Sequence, residues 1–229
     1  MQTTISKTQT AVDEGLRSYM ISVYNNMGIG LVISSIISYI VGTNEALAQM
    51  VFGGPQAYLF IFAPLIAVFA LAFLIDKMSA ATARLAFFGY AALMGISLAS
   101  IFMVYQLGSI FQVFLITAVM FGGMSLYGYT TKRDLTSMGS FLIMGVWGLV
   151  IAGIINLFLQ NGVMQMVIAA AGVLIFTGLT AYDTQKIKEI YYATSGEQRE
   201  KAGILGALNL YLDFVNLMIS LIQLLGQRK

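Results

Sequence analysis

Residues 208–222 read LNLYLDFVNLMISLI, an apolar run that carries the ionisable side chain of Asp213 near its centre. An ionised group at the middle of a bilayer costs at least about 2.5–3.5 kcal/mol on insertion scales, so such residues usually serve a function. Within the run, Asn209, Asp213, Asn216 and Ser220 recur at intervals of four, three and four residues. Because that spacing places side chains on one face of a helix, the run predicts a membrane helix whose polar stripe faces other helices or a wet cavity instead of lipid.

The rest of the chain has the composition of a multi-pass membrane protein. Of its 229 residues, 59% are hydrophobic and 10% are charged, whereas soluble domains carry about 25% charged residues. A membrane helix needs about 20 apolar residues. Seven such stretches, which we number span one to span seven, lie at 20–42, 55–75, 83–105, 107–129, 137–159, 163–192 and 204–226. The sequence therefore predicts an all-α membrane protein, a seven-transmembrane helical bundle of residues 20–229 that follows a flexible cytoplasmic tail of residues 1–19.

The basic residues predict how the bundle is oriented. Lys and Arg occur in the tail and in the loops after spans two, four and six, while the loops after spans one, three and five contain none. By the positive-inside rule, the N-terminus is expected in the cytoplasm and the C-terminus outside. These short loops account for the net charge of +2 without the basic surface of a nucleic-acid-binding protein, so no nucleic-acid partner is expected.

The absence of cysteine and histidine from the chain excludes thiol nucleophiles, Ser–His dyads and zinc sites with Cys or His ligands. An intramembrane aspartyl protease would also place two aspartates on neighbouring helices. However, Asp213 stands in Leu-Tyr-Leu-Asp instead of Gly-x-Gly-Asp, and no Pro-Ala-Leu follows. We therefore expect no catalytic residues, no enzyme activity and no tightly bound cofactor.

A second aspartate, Asp183, lies near the end of span six. Span six continues past it, and the polar residues 193–203 are expected to form the turn to span seven. Asp183 and Asp213 each lie nine residues from their side of this turn, which is about 13 Å in a helix. In an antiparallel hairpin the two carboxyl groups are therefore predicted to face each other, with Thr180 one turn away in the polar lining.

Two adjacent carboxyl groups resist double ionisation and tend to share one proton. We hypothesise a pH-sensitive latch, in which protonated carboxyl groups hold the helix pair closed and ionised ones repel and leave an anionic cavity. Calcium prefers oxygen ligands, so Asp183, Asp213, Asn209, Asn216 and water predict a weak calcium site, suited to an ion that must also leave. The alternative is that the stripe only supplies interhelical hydrogen bonds, worth about 0.6–2 kcal/mol each.

The segments 177–187, TGLTAYDTQKI, and 208–217, LNLYLDFVNL, together resemble the signature of the Bax-inhibitor family (transmembrane Bax inhibitor motif) in its bacterial branch. The resemblance implies a bundle with the last helix central and a pH-dependent calcium leak in a bacterial inner membrane, with Asp183 and Asp213 as the paired aspartates. It also implies a basic gate residue near the end of span two, for which Lys77 is the candidate counter-ion.

A second function also fits the resemblance. Some bacterial relatives act as non-transporting regulators, so the chain is alternatively expected to bind a membrane-anchored quality-control protease or another membrane protein. Residues 1–16 would then be the segment that binds this partner.

Overall fold

The fold is that of a computed structural model, which describes the backbone of residues 2–229 and the side chains from residue 14 onward. Within those residues the chain forms eight α-helices and a 3₁₀ helix at Ile75–Lys77, and it contains no β-strand. The α-helices are α1 Gln2–Thr43, α2 Glu45–Phe52, α3 Gln56–Leu74, α4 Ala80–Val104, α5 Leu107–Thr130, α6 Thr136–Leu159, α7 Gly162–Ala193 and α8 Gly196–Leu225.

Seven of these helices, all except α2, are long and apolar enough to cross a bilayer, which confirms the predicted seven-span layout. The short helix α2 between the first two spans was not predicted. Its N-terminus is capped by Asn44, whose side-chain oxygen accepts the Leu47 N–H at 3.1 Å. Such a cap satisfies an amide that has no partner within the helix.

Large apolar side chains cover the outward faces of the bundle. In α6, the most apolar window contains no buried residue, and Phe141 and Phe158 are 69% and 81% exposed. Soluble proteins rarely expose contiguous apolar surfaces of this kind. The outer surface of the bundle is therefore suited to contact hydrocarbon.

The last helix, α8, is the most buried of the seven spans. Two thirds of its apolar window (67%) is buried, compared with 33% or less in every other span. Its aromatic side chains contact several helices: the Tyr211 ring lies 5.7 Å from that of Phe87 in α4, and the Phe214 ring lies 5.5 Å from that of Phe121 in α5. These contacts join α8 to α4 and α5, and the central position of the last helix stays a prediction.

The first helix begins earlier than the first predicted span. The backbone of α1 is helical from Gln2, and Leu16 is buried in the hydrophobic core. Leu16 belongs to the predicted tail of residues 1–19, so the end of that tail packs against the bundle. The side chains of residues 1–13 lie outside the described residues, and the flexibility of the tail stays a prediction.

The turn between α7 and α8 is shorter than the predicted turn of residues 193–203, because α8 already begins at Gly196. Most residues of this segment are good helix formers. The first two turns of α8 also contact the connection between α3 and α4. The Ala80 N–H donates to Glu197 Oε1 at 3.3 Å, and Lys201 Nζ donates to the Asp76 carbonyl at 3.2 Å.

Candidate functional site

Helices α7 and α8 pack as an antiparallel pair with close contacts at two levels. Gly206 of α8 lies against Ile187 of α7, where an added Cβ would approach the Ile187 Cγ1 to 2.8 Å. Further along the pair, Gly172 of α7 lies directly against the Ser220 hydroxyl of α8. Small residues allow helices in a membrane to approach each other closely. The polar stripe of α8 therefore faces α7 instead of lipid.

The structure brings the side chains of Asp183 and Asp213 together between these two contacts. Their carboxyl groups are close enough to interact with each other. Asp213 is only 4% exposed, whereas Asp183 is half-buried. Ionised carboxylates can only accept hydrogen bonds, so a bond between the two groups requires one proton on the pair.

One oxygen of the Asp213 side chain is isolated from other polar groups of the described residues. Among the side chains that the structure describes, its Oδ2 atom is buried without a hydrogen-bond partner. A buried carboxylate oxygen without a partner is costly. The site therefore has an unused acceptor that a proton, a water molecule or a cation could satisfy.

The predicted lining residues form hydrogen bonds within their own helices. Thr180 Oγ1 donates to the Phe176 carbonyl at 2.8 Å, and on α8 Asn216 Nδ2 donates to the Leu212 carbonyl at 2.9 Å. Ser220 Oγ donates to the Asn216 carbonyl at 2.8 Å. These bonds do not cross between helices, so they do not provide the interhelical stabilisation that the alternative reading of the stripe requires.

The two remaining predicted site residues are Asn209 and Lys77. Asn209 is half-buried on the same face of α8. Lys77 ends the 3₁₀ helix, and its side chain is exposed. The basic residue Lys186 lies one turn beyond Asp183 on α7, and its side chain is exposed. The roles of Asn209 as a ligand and of Lys77 as a gate counter-ion stay predictions.

A chain of hydroxyl groups next to Asp183 was not predicted. Tyr24 of α1 contacts Ser125 Oγ of α5 at 2.5 Å, and Ser125 Oγ in turn contacts Thr184 Oγ1 of α7 at 3.1 Å. Thr184 is also fully buried. In the sequence, only the spacing of Thr180 and Thr184 on one face of span six indicated this group of hydroxyls. Its other members, Tyr24 and Ser125, come from distant spans.

A buried amide holds the loop between α5 and α6 against α7. Gln185 Oε1 accepts the Leu135 N–H at 2.9 Å, and Gln185 Nε2 donates to the Arg133 carbonyl at 2.9 Å. Both backbone groups belong to the connection between α5 and α6, and Gln185 satisfies one donor and one acceptor of it. The loop is thereby fixed two residues from Asp183.

The seven apolar helices and the apolar outer surface define an all-α, multi-pass membrane protein. A family model described as inhibitor of apoptosis-promoting Bax1 matches residues 16–229. The chain belongs to this Bax-inhibitor family.

Curated relatives match over nearly their whole lengths. The inner membrane protein YbhL of Escherichia coli K12 is 41% identical over 225 residues, which cover 94% of each chain. The protein RP147 of Rickettsia prowazekii is 42% identical over 228 residues, which cover 99% of this chain and 96% of the relative. A protein of Borreliella burgdorferi is 41% identical over 214 residues and 92% of each chain.

Proposed function

We propose that this protein is a pH-sensitive calcium leak of the bacterial inner membrane, with Asp183 and Asp213 as its proton switch. The observation that carries the proposal is the contact between the two carboxyl groups inside the α7–α8 pair. With one shared proton the pair is bonded and the helices are held closed. Without it, two unit charges about 4 Å apart repel by about 4 kcal/mol at an effective dielectric constant of about 20.

A repulsion of that size is large enough to work as a switch. Every 1.4 kcal/mol changes an equilibrium constant tenfold, so about 4 kcal/mol shifts the closed–open equilibrium by a factor of nearly a thousand. The ionised pair would then offer carboxylate oxygens, the ligand type that Ca²⁺ prefers, including the buried Oδ2 of Asp213 that has no described partner.

Calcium acts in this proposal as the transported ion. Within the described part of the chain, no group of three or more His, Cys, Asp or Glu side chains is arranged to hold a metal. Two carboxylates completed by amides, carbonyls and water give a weak site, and weak sites suit conduction because the ion must be released. Calcium ions and protons are thus the proposed partners of the site. From the distribution of the basic residues, we expect the N-terminus in the cytoplasm.

The test is calcium flux into liposomes that contain only this protein, measured with an enclosed calcium dye. We expect the flux of the wild type to rise with pH between about 6 and 8. Asp183→Asn and Asp213→Asn should both flatten the pH dependence, because an amide cannot ionise. Asp134→Asn is the matched control, since Asp134 is exposed in the loop between α5 and α6, and it should leave the pH profile unchanged.

Two further results would change the proposal. Lys77→Met should alter the closed-state flux if Lys77 acts as a gate counter-ion. A wild type without flux at any pH would contradict the leak and favour the non-transporting regulator that binds a membrane-anchored protease or another membrane protein. If Asp134→Asn flattens the pH dependence of the flux as Asp183→Asn and Asp213→Asn do, that dependence does not come from the pair.

A further inference from the structure

A polar cavity of about 290 Å³ lies at the end of the bundle where α7 turns into α8. It is a half-open cavity bordered by α1, by the beginning of α4 and by the α7–α8 hairpin, and its lining does not include the carboxyl pair. Its lining consists mainly of small, hydroxyl-bearing and charged residues: Gly15, Ser18, Tyr19, Ser22, Val23, Asn26, Arg84, Tyr191, Arg199, Glu200 and Gly203.

Arg199 is held in place at this cavity by neighbours within the hairpin. Its guanidinium group lies 4.2 Å from the centre of the Tyr191 ring, and its Nε and Nη2 atoms donate to the Thr194 carbonyl. A guanidinium group has five N–H donors, and the bonds among the described residues use two of them. Arg84, which lies on the first turns of α4, brings a second guanidinium to the same cavity.

Two uncharged polar groups, the Asn26 amide and the Tyr19 hydroxyl, also lie at this cavity. Asn26 is only 7% exposed although it lines the cavity, and the Tyr19 hydroxyl is buried without a hydrogen-bond partner among the described side chains. Buried polar groups in folded proteins are nearly always hydrogen-bonded. A ligand with several acceptor oxygens would satisfy both groups together with the two arginines.

We propose that this cavity binds the phosphate group of a glycerophospholipid headgroup. Planar guanidinium groups match phosphate oxygens in bidentate geometry, and the cavity adds the amide of Asn26 and the hydroxyl of Tyr19 as donors. The cavity lies at the ends of membrane helices, on the side that the basic loops predict to be cytoplasmic, where anionic lipids attract Lys and Arg. Glu200 also lines the cavity, and its carboxylate would face the polar or cationic remainder of a headgroup.

A bound phosphate would link three parts of the bundle. Asn26 belongs to α1, Arg84 to α4 and Arg199 to the first turn of α8. The same turn of α8 is already joined to α4 through Glu197 and the Ala80 N–H. Phosphate binding would therefore strengthen the attachment of the α7–α8 hairpin to α1 and α4.

The experiment measures phosphatidylglycerol binding to the full-length protein in detergent micelles by native mass spectrometry. Arg199→Gln and Arg84→Gln should each weaken binding about tenfold, since each removes a charge-assisted hydrogen-bond donor. Arg17→Gln is the matched control, because Arg17 is exposed on α1 and does not line the cavity, and it should leave binding unchanged. Circular dichroism and melting temperature establish that each variant is folded, and Arg84→Gln keeps the test valid if Arg199→Gln is unstable.

Competition with glycerol 3-phosphate distinguishes the two sources of phosphate. Displacement of the lipid by millimolar glycerol 3-phosphate would assign the site to a soluble phosphate compound and overturn the lipid. Equal weakening by Arg17→Gln would show general electrostatic attraction and overturn the site itself. Unchanged lipid binding in both Arg199→Gln and Arg84→Gln would also overturn the site.

Discussion

Replacing Ser34 with alanine should destabilise the protein more than replacing its partner Tyr211 with phenylalanine. The two hydroxyl groups lie 2.5 Å apart between α1 and α8, and Ser34 Oγ also donates to the Ala91 carbonyl of α4 at 2.8 Å. Tyr211 and Ser34 are 0% and 2% exposed. Tyr211→Phe removes one hydrogen bond but leaves Ser34 its bond to Ala91, so we expect a loss of about 0.5–1.5 kcal/mol.

Ser34→Ala has a different consequence because it leaves the Tyr211 hydroxyl buried without a partner. An unsatisfied buried donor costs about 1–3 kcal/mol. The double variant Ser34→Ala/Tyr211→Phe removes both hydroxyl groups and should therefore be more stable than Ser34→Ala alone. Such an order cannot arise if the effects of the two substitutions simply add.

The assay is reversible unfolding in mixed micelles, followed by circular dichroism, for the four members of this double-mutant cycle. Ser35→Ala is the matched control, since Ser35 is the neighbouring serine of α1 and is exposed; its loss should be within about 0.5 kcal/mol. Additive losses, or a double variant less stable than Ser34→Ala, would refute the reasoning that an orphaned hydroxyl carries the cost.

Three other substitutions test contacts elsewhere in the bundle. Gly95→Ala should destabilise the fold by about 1–3 kcal/mol, because its Cβ would come within 2.8 Å of a backbone oxygen of α1, whereas Gly89→Ala in the same helix meets no atom within 4 Å and should be neutral or stabilising; thermal unfolding in detergent compares them. Gln185→Met should leave two backbone groups of the α5–α6 loop unpaired and raise hydrogen exchange there, while exchange elsewhere stays unchanged. Hydrogen bonds from Thr136 lower the pKa of Asp134. The ionised form of Asp134 therefore stabilises the fold above the unfolded pKa of about 3.9, and this contribution is lost as pH falls through the lower folded pKa. Asp134→Ala should reduce the loss of folding stability in acid, and an unchanged dependence of unfolding on pH would contradict this.

The sequence predicted the spans because their lengths and apolar character follow directly from the thickness of the bilayer. It also predicted which face of α8 is polar, since Asn209, Asp213, Asn216 and Ser220 recur at helical spacing. The expected juxtaposition of Asp183 and Asp213 needed only the order of two neighbouring helices, so it required no knowledge of the remaining bundle.

Contacts between distant helices could not be predicted in the same way. The Ser34–Tyr211 bond joins residues 177 positions apart, and nothing in either span indicates which partner its hydroxyl group meets. Arg199 was assigned to a turn because residues 193–203 are polar, yet this segment is helical from Gly196. The packing of Arg199 against Tyr191 and the bond of Glu197 to α4 depend on how the hairpin packs on the bundle, which is a tertiary property.

The contacts of Gly172 with Ser220 and of Gly206 with Ile187 constrain how the last two helices can move. The two contacts are about 21 Å apart along α8, at 1.5 Å per residue. Translation of α8 along its own axis would push side chains against the backbone at both Gly172 and Gly206, which close packing resists. Tilting about one contact separates only the other end, so any widening between these helices should be angular and should leave one end of the pair nearly fixed.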